Sequence, residues 1–389
     1  MARGRPIAIE PPHYCEAAVR VRTGDGFFRS ASRPSRDLGV LLARHLRSLH
    51  GRLRVLDLMS GCGIRAVRYG IEAAADAVWA NDADPDRLPL LKANLAALEG
   101  LEQHPEQLQD RSACTALTAQ QLLAGCLLER RRFELVDLDG FGCPSALLPL
   151  ALEAVAFGGC LYLASTDGRS PTGHDRTAAI RSLGAAARAH PASWELALRL
   201  QLGVIARAAW ALGRGMRPLF AFSEGRTFRT AVQVLRRPEP GEEGLLGLLA
   251  HCHGCGDQQV QTLLRLRGWE PCGCQSPPPL AISGPLWIGP LQHGPTLTEM
   301  AEGAGTSLGP DGARLLQGLL ADPGVPARCW PLAEIARRLG GGPRRRRELV
   351  ELLRSEGWSA TASAIAPGQL RSDAPWPRLL ELARLMQRT

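Results

Sequence analysis

The 389-residue chain holds a single lysine, Lys92, among its 46 Lys and Arg residues. Nearly all of its positive charge is therefore guanidinium, a group that stays protonated and forks onto carboxylates and phosphates. No apolar run approaches the ~20 residues needed to cross a bilayer, so a membrane-spanning reading is excluded and no membrane partner is expected. The opening residues Met1-Ala-Arg-Gly-Arg-Pro6 lack the apolar core of a secretory leader, and a cytoplasmic location is expected. The eleven cysteines then read as reduced thiols or metal ligands, not a disulfide framework. Disorder is excluded by an ordinary 45% hydrophobic content and mixed charge.

What is present suffices for two hydrophobic cores. The net charge of +8 suits a polyanionic partner such as nucleic acid. After a lead-in of about 50 residues, in which Asp37 suits the start of an amphipathic helix to Leu49, strands and helices alternate. Strands are expected at Arg54–Leu58, Ala77–Ala80, Phe133–Leu138 and Gly159–Ala164. Helices are expected at Ile64–Ala74, Pro85–Leu98 and Pro144–Ala156. This alternation implies an α/β fold with a parallel, doubly wound sheet. A long helix, Trp194–Leu212, and strands at Met216–Phe222 and Thr230–Leu235 follow. The polar break Arg236-Arg-Pro-Glu-Pro-Gly241 marks a division into residues 1–240 and 241–389. Near the C-terminus, helices at Leu332–Leu339 and Arg345–Glu356 flank a basic turn and precede Trp358–Thr361, a winged-helix-like arrangement.

Two constellations carry chemistry. In Val55-Leu-Asp-Leu-Met-Ser-Gly-Cys-Gly63 a strand meets a glycine-rich turn, where Gly61 and Gly63 let the backbone approach a ligand. Asp57 before the turn suits a cationic, amino-acid-bearing nucleoside such as S-adenosylmethionine better than a pyrophosphate. Asp82, 19 positions beyond Gly63 at the next strand's end, stands where an acid grips ribose hydroxyls. The second is Asp137-Leu-Asp-Gly-Phe-Gly142. A carboxylate at a strand's end can accept from an exocyclic amine, and an adjacent ring can stack on a base. Together they point to a base methyltransferase.

The chain resembles the tRNA guanine-26 N2-dimethyltransferase family over nearly its whole length. The resemblance rests on Arg36-Asp-Leu38, Asp57-Leu-Met-Ser-Gly-Cys-Gly-Ile-Arg-Ala66, Asn81-Asp82, Asp137-Leu-Asp-Gly-Phe-Gly-Cys-Pro144, Ser165-Thr-Asp167 and Gly284-Pro-Leu-Trp-Ile-Gly-Pro-Leu291. It implies a Rossmann-like class I methyltransferase domain with a smaller α+β C-terminal domain that helps hold tRNA. By that resemblance Asp139 is the catalytic carboxylate and Phe141 stacks on guanine, with Gly142, Thr166 and Asp167 at the substrate. Arg36, Asp57, Ser60, Gly61, Gly63, Arg65 and Asp82 serve the cofactor. Where the family carries Asp-Pro-Phe-Gly, this chain has Gly140, and a looser loop is expected. Where the family has an Asp-Ala pair at the adenine amine, it has Thr118-Ala119.

Cys252 and Cys255, with Cys272 and Cys274, match a structural zinc arrangement of four thiolates, although the second pair is one residue short of the usual knuckle. Arg344-Arg-Arg-Arg347 is expected to contact tRNA phosphates, with Arg226, Arg229, Arg236 and Arg237 extending that surface. No protein partner is implied. Two other readings stay open at this point. One is transfer to another exocyclic amine, such as adenine N6; the other is a non-catalytic tRNA-binding protein.

Overall fold

A computed structural model describes residues 13–98, 112–342 and 345–386; the Met1–Pro6 segment and Arg344 of the basic run lie outside them. A hairpin of β1 (His13–Glu16) and β2 (Val19–Arg22) precedes α1 (Arg33–His50). The helix starts a turn earlier than the sequence suggests, because Pro34 occupies its first turn. Asp37 is therefore not its cap. It is buried one turn in, where its Oδ1 accepts from Arg68 (2.7 Å) and its Oδ2 from the backbone of Gly309 (2.9 Å).

Seven strands form the main sheet: β3 (Arg54–Asp57), β4 (Ala77–Asn81), β5 (Ser112–Thr115), β6 (Phe133–Asp139), β7 (Val155–Ser165), β8 (Gly215–Glu224) and β9 (Thr227–Leu235). Their order is β5-β4-β3-β6-β7-β9-β8, parallel from β5 to β7, with β9 antiparallel to both neighbours. The intervening helices are α2 (Ile64–Glu72), α3 (Leu88–Leu95), α4 (Ala119–Leu128), α5 (Leu148–Ala154), α6 (Arg176–Leu183) and α7 (Ser193–Ala211). The helix expected to run to Ala156 stops at Ala154, because β-branched Val155 turns extended and opens β7.

Successive residues along each strand face opposite layers. Val55 and Leu135 join the core under α1 and α2; Leu56 and Val136 join the core under α4, α5 and α7. The chain winds outward from β3 to β5, then crosses to β6. The carboxyl ends of β3 and β6 are thus the switch point at which such sheets bind ligands.

Beyond the main sheet, β10 (Leu246–His251), β11 (Gln258–Thr262) and β12 (Ala281–Trp287) form an antiparallel sheet in the order β11-β10-β12. It lies against α7 so closely that a Cβ on Gly203 would stand 2.9 Å from the Leu286 Cα. Helices α8 (Gly294–Glu302) and α9 (Pro310–Ala321) return to α1, and their Leu297, Met300, Leu316 and Leu319 enter its core. The last unit joins α10 (Leu332–Leu339), α11 (Arg346–Ser355) and α12 (Trp376–Leu385) to a sheet of β13 (Cys329–Pro331), β14 (Ala360–Ala362) and β15 (Gln369–Ser372), a winged-helix-like layout. Buried Arg371 ties it to α7 by an ion pair to Glu195 and to the end of α9 by one to Asp322. Among the described residues no helix is long and apolar enough to cross a membrane.

Candidate active site

A cavity of about 450 Å³ opens at the carboxyl ends of β3, β4, β6 and β7, the switch point of the sheet. Of the residues singled out in the sequence, Arg36, Ser60, Gly61, Arg65, Asp82, Ala119, Asp139, Phe141 and Thr166 line it. The glycine turn is held from below by Ser60 N–H donating to the Asn81 carbonyl (2.8 Å) and from the side by Asp82, whose Oδ2 accepts from Gly61 N–H at 2.9 Å. Asp82 Oδ1 takes the Asp84 N–H at 3.0 Å, which leaves each oxygen a lone pair for a ligand hydroxyl. Gly61 has φ +55° and only one atom, the Phe27 carbonyl at 4.0 Å, near where a Cβ would stand; the turn is open to a ligand. Gly63 plays a different part. It is left-handed at the start of α2, and a Cβ there would strike Leu91 at 2.6 Å, so it permits packing on α3.

Four charged side chains make the floor. Arg65 Nη2 donates to Asp139 Oδ2 (2.8 Å) and to Ser35 Oγ (3.0 Å), while its Nη1 reaches Asp137 Oδ2 (3.3 Å). Tyr69 Oη donates to that same Asp137 oxygen at 2.5 Å. Arg229, only 3% exposed, donates from Nη1 to Asp139 Oδ2 (3.0 Å) and from Nε to Glu224 (2.8 Å). Burial opposes ionisation of Asp139, yet the two guanidinium groups hold its carboxyl down at about 2. Its Oδ1 takes no hydrogen bond among the described residues. Asp57 lies beneath the cavity, fully buried, with neither oxygen partnered. Burial and then the charge of Asp137 push it up to about 8.

Two exposed rings stand at the mouth. Phe141 is 76% and Phe27 68% exposed, and they meet edge to face with centroids 5.1 Å apart. The strap carrying Phe27 is fastened by Arg36, which pairs twice with Glu16 and donates to the carbonyls of Arg29 (3.0 Å) and Ser30 (3.2 Å). The loop after β6 is fastened by Gly142, whose N–H donates to Thr166 Oγ1 at 2.6 Å and whose carbonyl accepts from Thr166 N–H at 3.0 Å.

Five sequence-derived candidates do not line the cavity: Asp57, Gly63 and Gly142, placed above, and Thr118 and Asp167. Thr118 caps α4 in a reciprocal box with Gln121, a pairing already readable in Thr118-Ala-Gln-Gln121. Asp167 Oδ1 accepts from the backbone of Arg169 and Ser170 and shapes a turn beside it. Arg229 is corrected from a surface phosphate contact to a buried member of the site. It sits 90 positions from Asp139, so no local spacing signals it. Phe27 was likewise unassigned, although its pairing with Phe28 in a polar lead-in was a visible signal.

At the second cluster, the Sγ atoms of Cys252, Cys255, Cys272 and Cys274 all lie within 4.8 Å of one another. Cys252 is 3.5 Å from Cys272 and 3.8 Å from Cys274. Bonds of ~2.3 Å to a tetrahedral zinc put sulfurs about 3.8 Å apart, so the donors fit that ion despite the shortened second pair.

The fold and this cavity define a Rossmann-like class I methyltransferase. The chain belongs to the family described as N2,N2-dimethylguanosine tRNA methyltransferase, whose family model matches residues 14–384. The tRNA (guanine(26)-N(2))-dimethyltransferase of Pyrococcus furiosus is 29% identical over 368 residues, covering 92% of either chain. The protein of that name from Pyrobaculum neutrophilum is 32% identical over 279 residues, 71% of this chain and 70% of its own. Trm1 from Pyrococcus horikoshii, solved with S-adenosyl-L-methionine, superposes with a TM-score of 0.79 at 25% identity, covering 95% of this chain and 99% of that one.

Proposed function

We propose that the protein transfers one or two methyl groups from S-adenosylmethionine to the exocyclic N2 of a guanine in tRNA, at position 26 or a neighbour. The carrying observation is Asp139: one oxygen is locked by Arg65 and Arg229, the other points free beside two exposed rings. A flipped guanine stacks on Phe141 and donates an N2–H to Asp139 Oδ1.

The cavity fits the cofactor on its own terms. Asp57 supplies an unpartnered buried carboxylate for an ammonium, Asp82 faces ribose hydroxyls, and Gly61 leaves room. When bound, S-adenosylmethionine supplies an electrophilic methyl group. Asp139 then has two tasks. Its hydrogen bond orients the amine and stabilises the positive charge that grows on N2. A carboxylate held near 2 is a weak base, so it receives the proton only once the nitrogen has become cationic and strongly acidic.

In this reading residues 1–240 form the methyltransferase domain and residues 241–389 the tRNA-binding part, with zinc on its four thiolates as a structural clamp and Arg226 near the mouth. The reaction is placed in the cytoplasm with its tRNA substrate. The test is incubation with unmodified tRNA transcript and labelled cofactor, followed by nucleoside mass spectrometry. N2-methyl- or N2,N2-dimethylguanosine is expected; methyl on any other atom overturns the assignment. Asp139→Ala is expected to abolish transfer and leave tRNA affinity within about twofold. Activity in that variant would remove the carboxylate from the mechanism.

A further inference from the structure

The amino ends of the parallel strands, opposite the cavity, carry a continuous row of arginines and aromatic rings. Arg131 lies over Trp79 of β4, its Cζ 5.1 Å from the ring centroid. The next residue, Arg132, stands 4.8 Å from Phe157 of β7, and Arg214 and Arg236 approach the same ring at 5.1 and 4.8 Å. Between Arg130, Arg131, Arg132 and Glu153 runs a groove of about 440 Å³.

Among the described residues, charge along this row is not balanced. Glu129 pairs with Arg131, and Glu153 with both Arg132 and Arg214. Arg130, Arg236 and Arg237 are exposed, and among the described residues none makes an ion pair or a side-chain hydrogen bond. Among the described residues, six guanidinium groups thus face two carboxylates, four charges in excess. The basic run of α11 behaves otherwise: Arg345 is paired with Glu348 and Arg347 with Glu351, each a neighbour on its own helix. Arginines that rest on rings keep their N–H edges available for phosphate, and rings between them suit a backbone that carries bases.

We propose that this row is a second phosphate-contacting surface, engaging the substrate tRNA away from the target base. The inference rests on the tRNA reading above. From Phe133 to Asp139, six residue steps at ~3.3 Å put it about 20 Å from the catalytic carboxylate, so it touches neither cofactor nor guanine. Its expected contribution is affinity that does not depend on local sequence and weakens with salt.

The test is the triple variant Arg130→Gln/Arg236→Gln/Arg237→Gln. Its melting temperature and cofactor affinity should match the parent, which establishes an intact fold. Filter binding of tRNA across a salt series should show a slope of log K against log salt shallower by about two to three, since each lost phosphate contact removes roughly 0.7–0.9. KM for tRNA should rise about tenfold or more with kcat unchanged. Lysine at the same three positions should restore most of the slope. A slope and KM within experimental error of the parent would overturn the proposal. If the parent itself methylates no tRNA, the functional reading fails, while the binding slopes still decide whether the row holds phosphate.

Discussion

Gly140 stands where the family motif carries proline, and what fills its place can be tested directly. A Cβ at Gly140 would lie 2.5 Å from Met59 Sδ and 3.2 Å from Met59 Cε. Ordinary contact needs ~3.5–4.0 Å, so Gly140→Ala forces the thioether to move by about 1 Å. Met59 is unbranched and adapts by rotating, which limits the loss of fold stability to about 1 kcal/mol. Because Met59 also lines the cavity, its new position intrudes on the cofactor. We expect affinity for S-adenosylmethionine to fall about five- to tenfold, equivalent to about 1–1.4 kcal/mol. Met59→Ala in the same chain makes room again, so the double variant should recover most of that loss, a coupling of about 1 kcal/mol. The assay is calorimetric titration of the cofactor into the parent, both single variants and the double variant, with melting temperatures alongside. Parental affinity in Gly140→Ala, or additive losses in the double variant, would refute the idea that Met59 occupies the space of the missing ring.

Three further outcomes follow from the site. Arg229→Gln removes one of the two guanidinium groups holding the Asp139 carboxyl down at about 2. A depressed carboxyl stabilises the fold above pH ~4 and loses that contribution as pH falls toward 2. In the variant both this loss and the acid limb of kcat/KM should move up by about one unit or more; an unmoved limb refutes the clamp. Asp57, pushed up to about 8, is protonated at pH 7 and must ionise to pair with a cationic cofactor. Binding at pH 7 should therefore release close to one proton and tighten as pH rises toward 8, measured by calorimetry in buffers of different ionisation enthalpy; zero proton release counts against the pairing. Cys252→Ser should reduce bound zinc from about one equivalent to near none and lower the melting temperature of the C-terminal part, with cofactor affinity intact. Purified parent protein free of zinc by elemental analysis would dismiss the metal.

The parts of this protein legible in its sequence are those whose cause is local. The apolar runs at Leu56 and Val136 mark buried parallel strands, and the turn after β3 announces itself because Gly61 and Gly63 are needed there. Even here the same signal covers two causes, one glycine opening the site and the other admitting Leu91. The segment Ser112–Leu128 gave no strand or helix reading, since a four-residue half-buried strand of Ser-Ala-Cys-Thr has little pattern and α4 is apolar on most sides. Asp37 was misplaced because an acidic residue near a helix start resembles a cap, whereas Pro34 set the start and burial gave Asp37 to Arg68. Arg229 could not be found at all: β9 is brought beside β7 only after the long α7 excursion, and pairing across the sheet is a product of the assembled fold.

The near-absence of lysine acquires a structural meaning in these networks. Arg65 spans Asp137, Asp139 and Ser35 with two separate nitrogens, and fully buried Arg68 reaches Glu16, Asp37, Glu72 and the Ser307 carbonyl with three. An ammonium is a compact point on a flexible stem and cannot face acceptors that far apart without leaving some unpaired in a dry interior. The planar fork can, and it keeps its charge when desolvated. The same property acts in reverse at the amino edge of the sheet, where the forks of Arg130, Arg236 and Arg237 meet no carboxylate among the described residues. Buried, the guanidinium holds the Asp139 carboxylate in one protonation state; exposed and unmatched among the described residues, it is suited to an anion from another molecule.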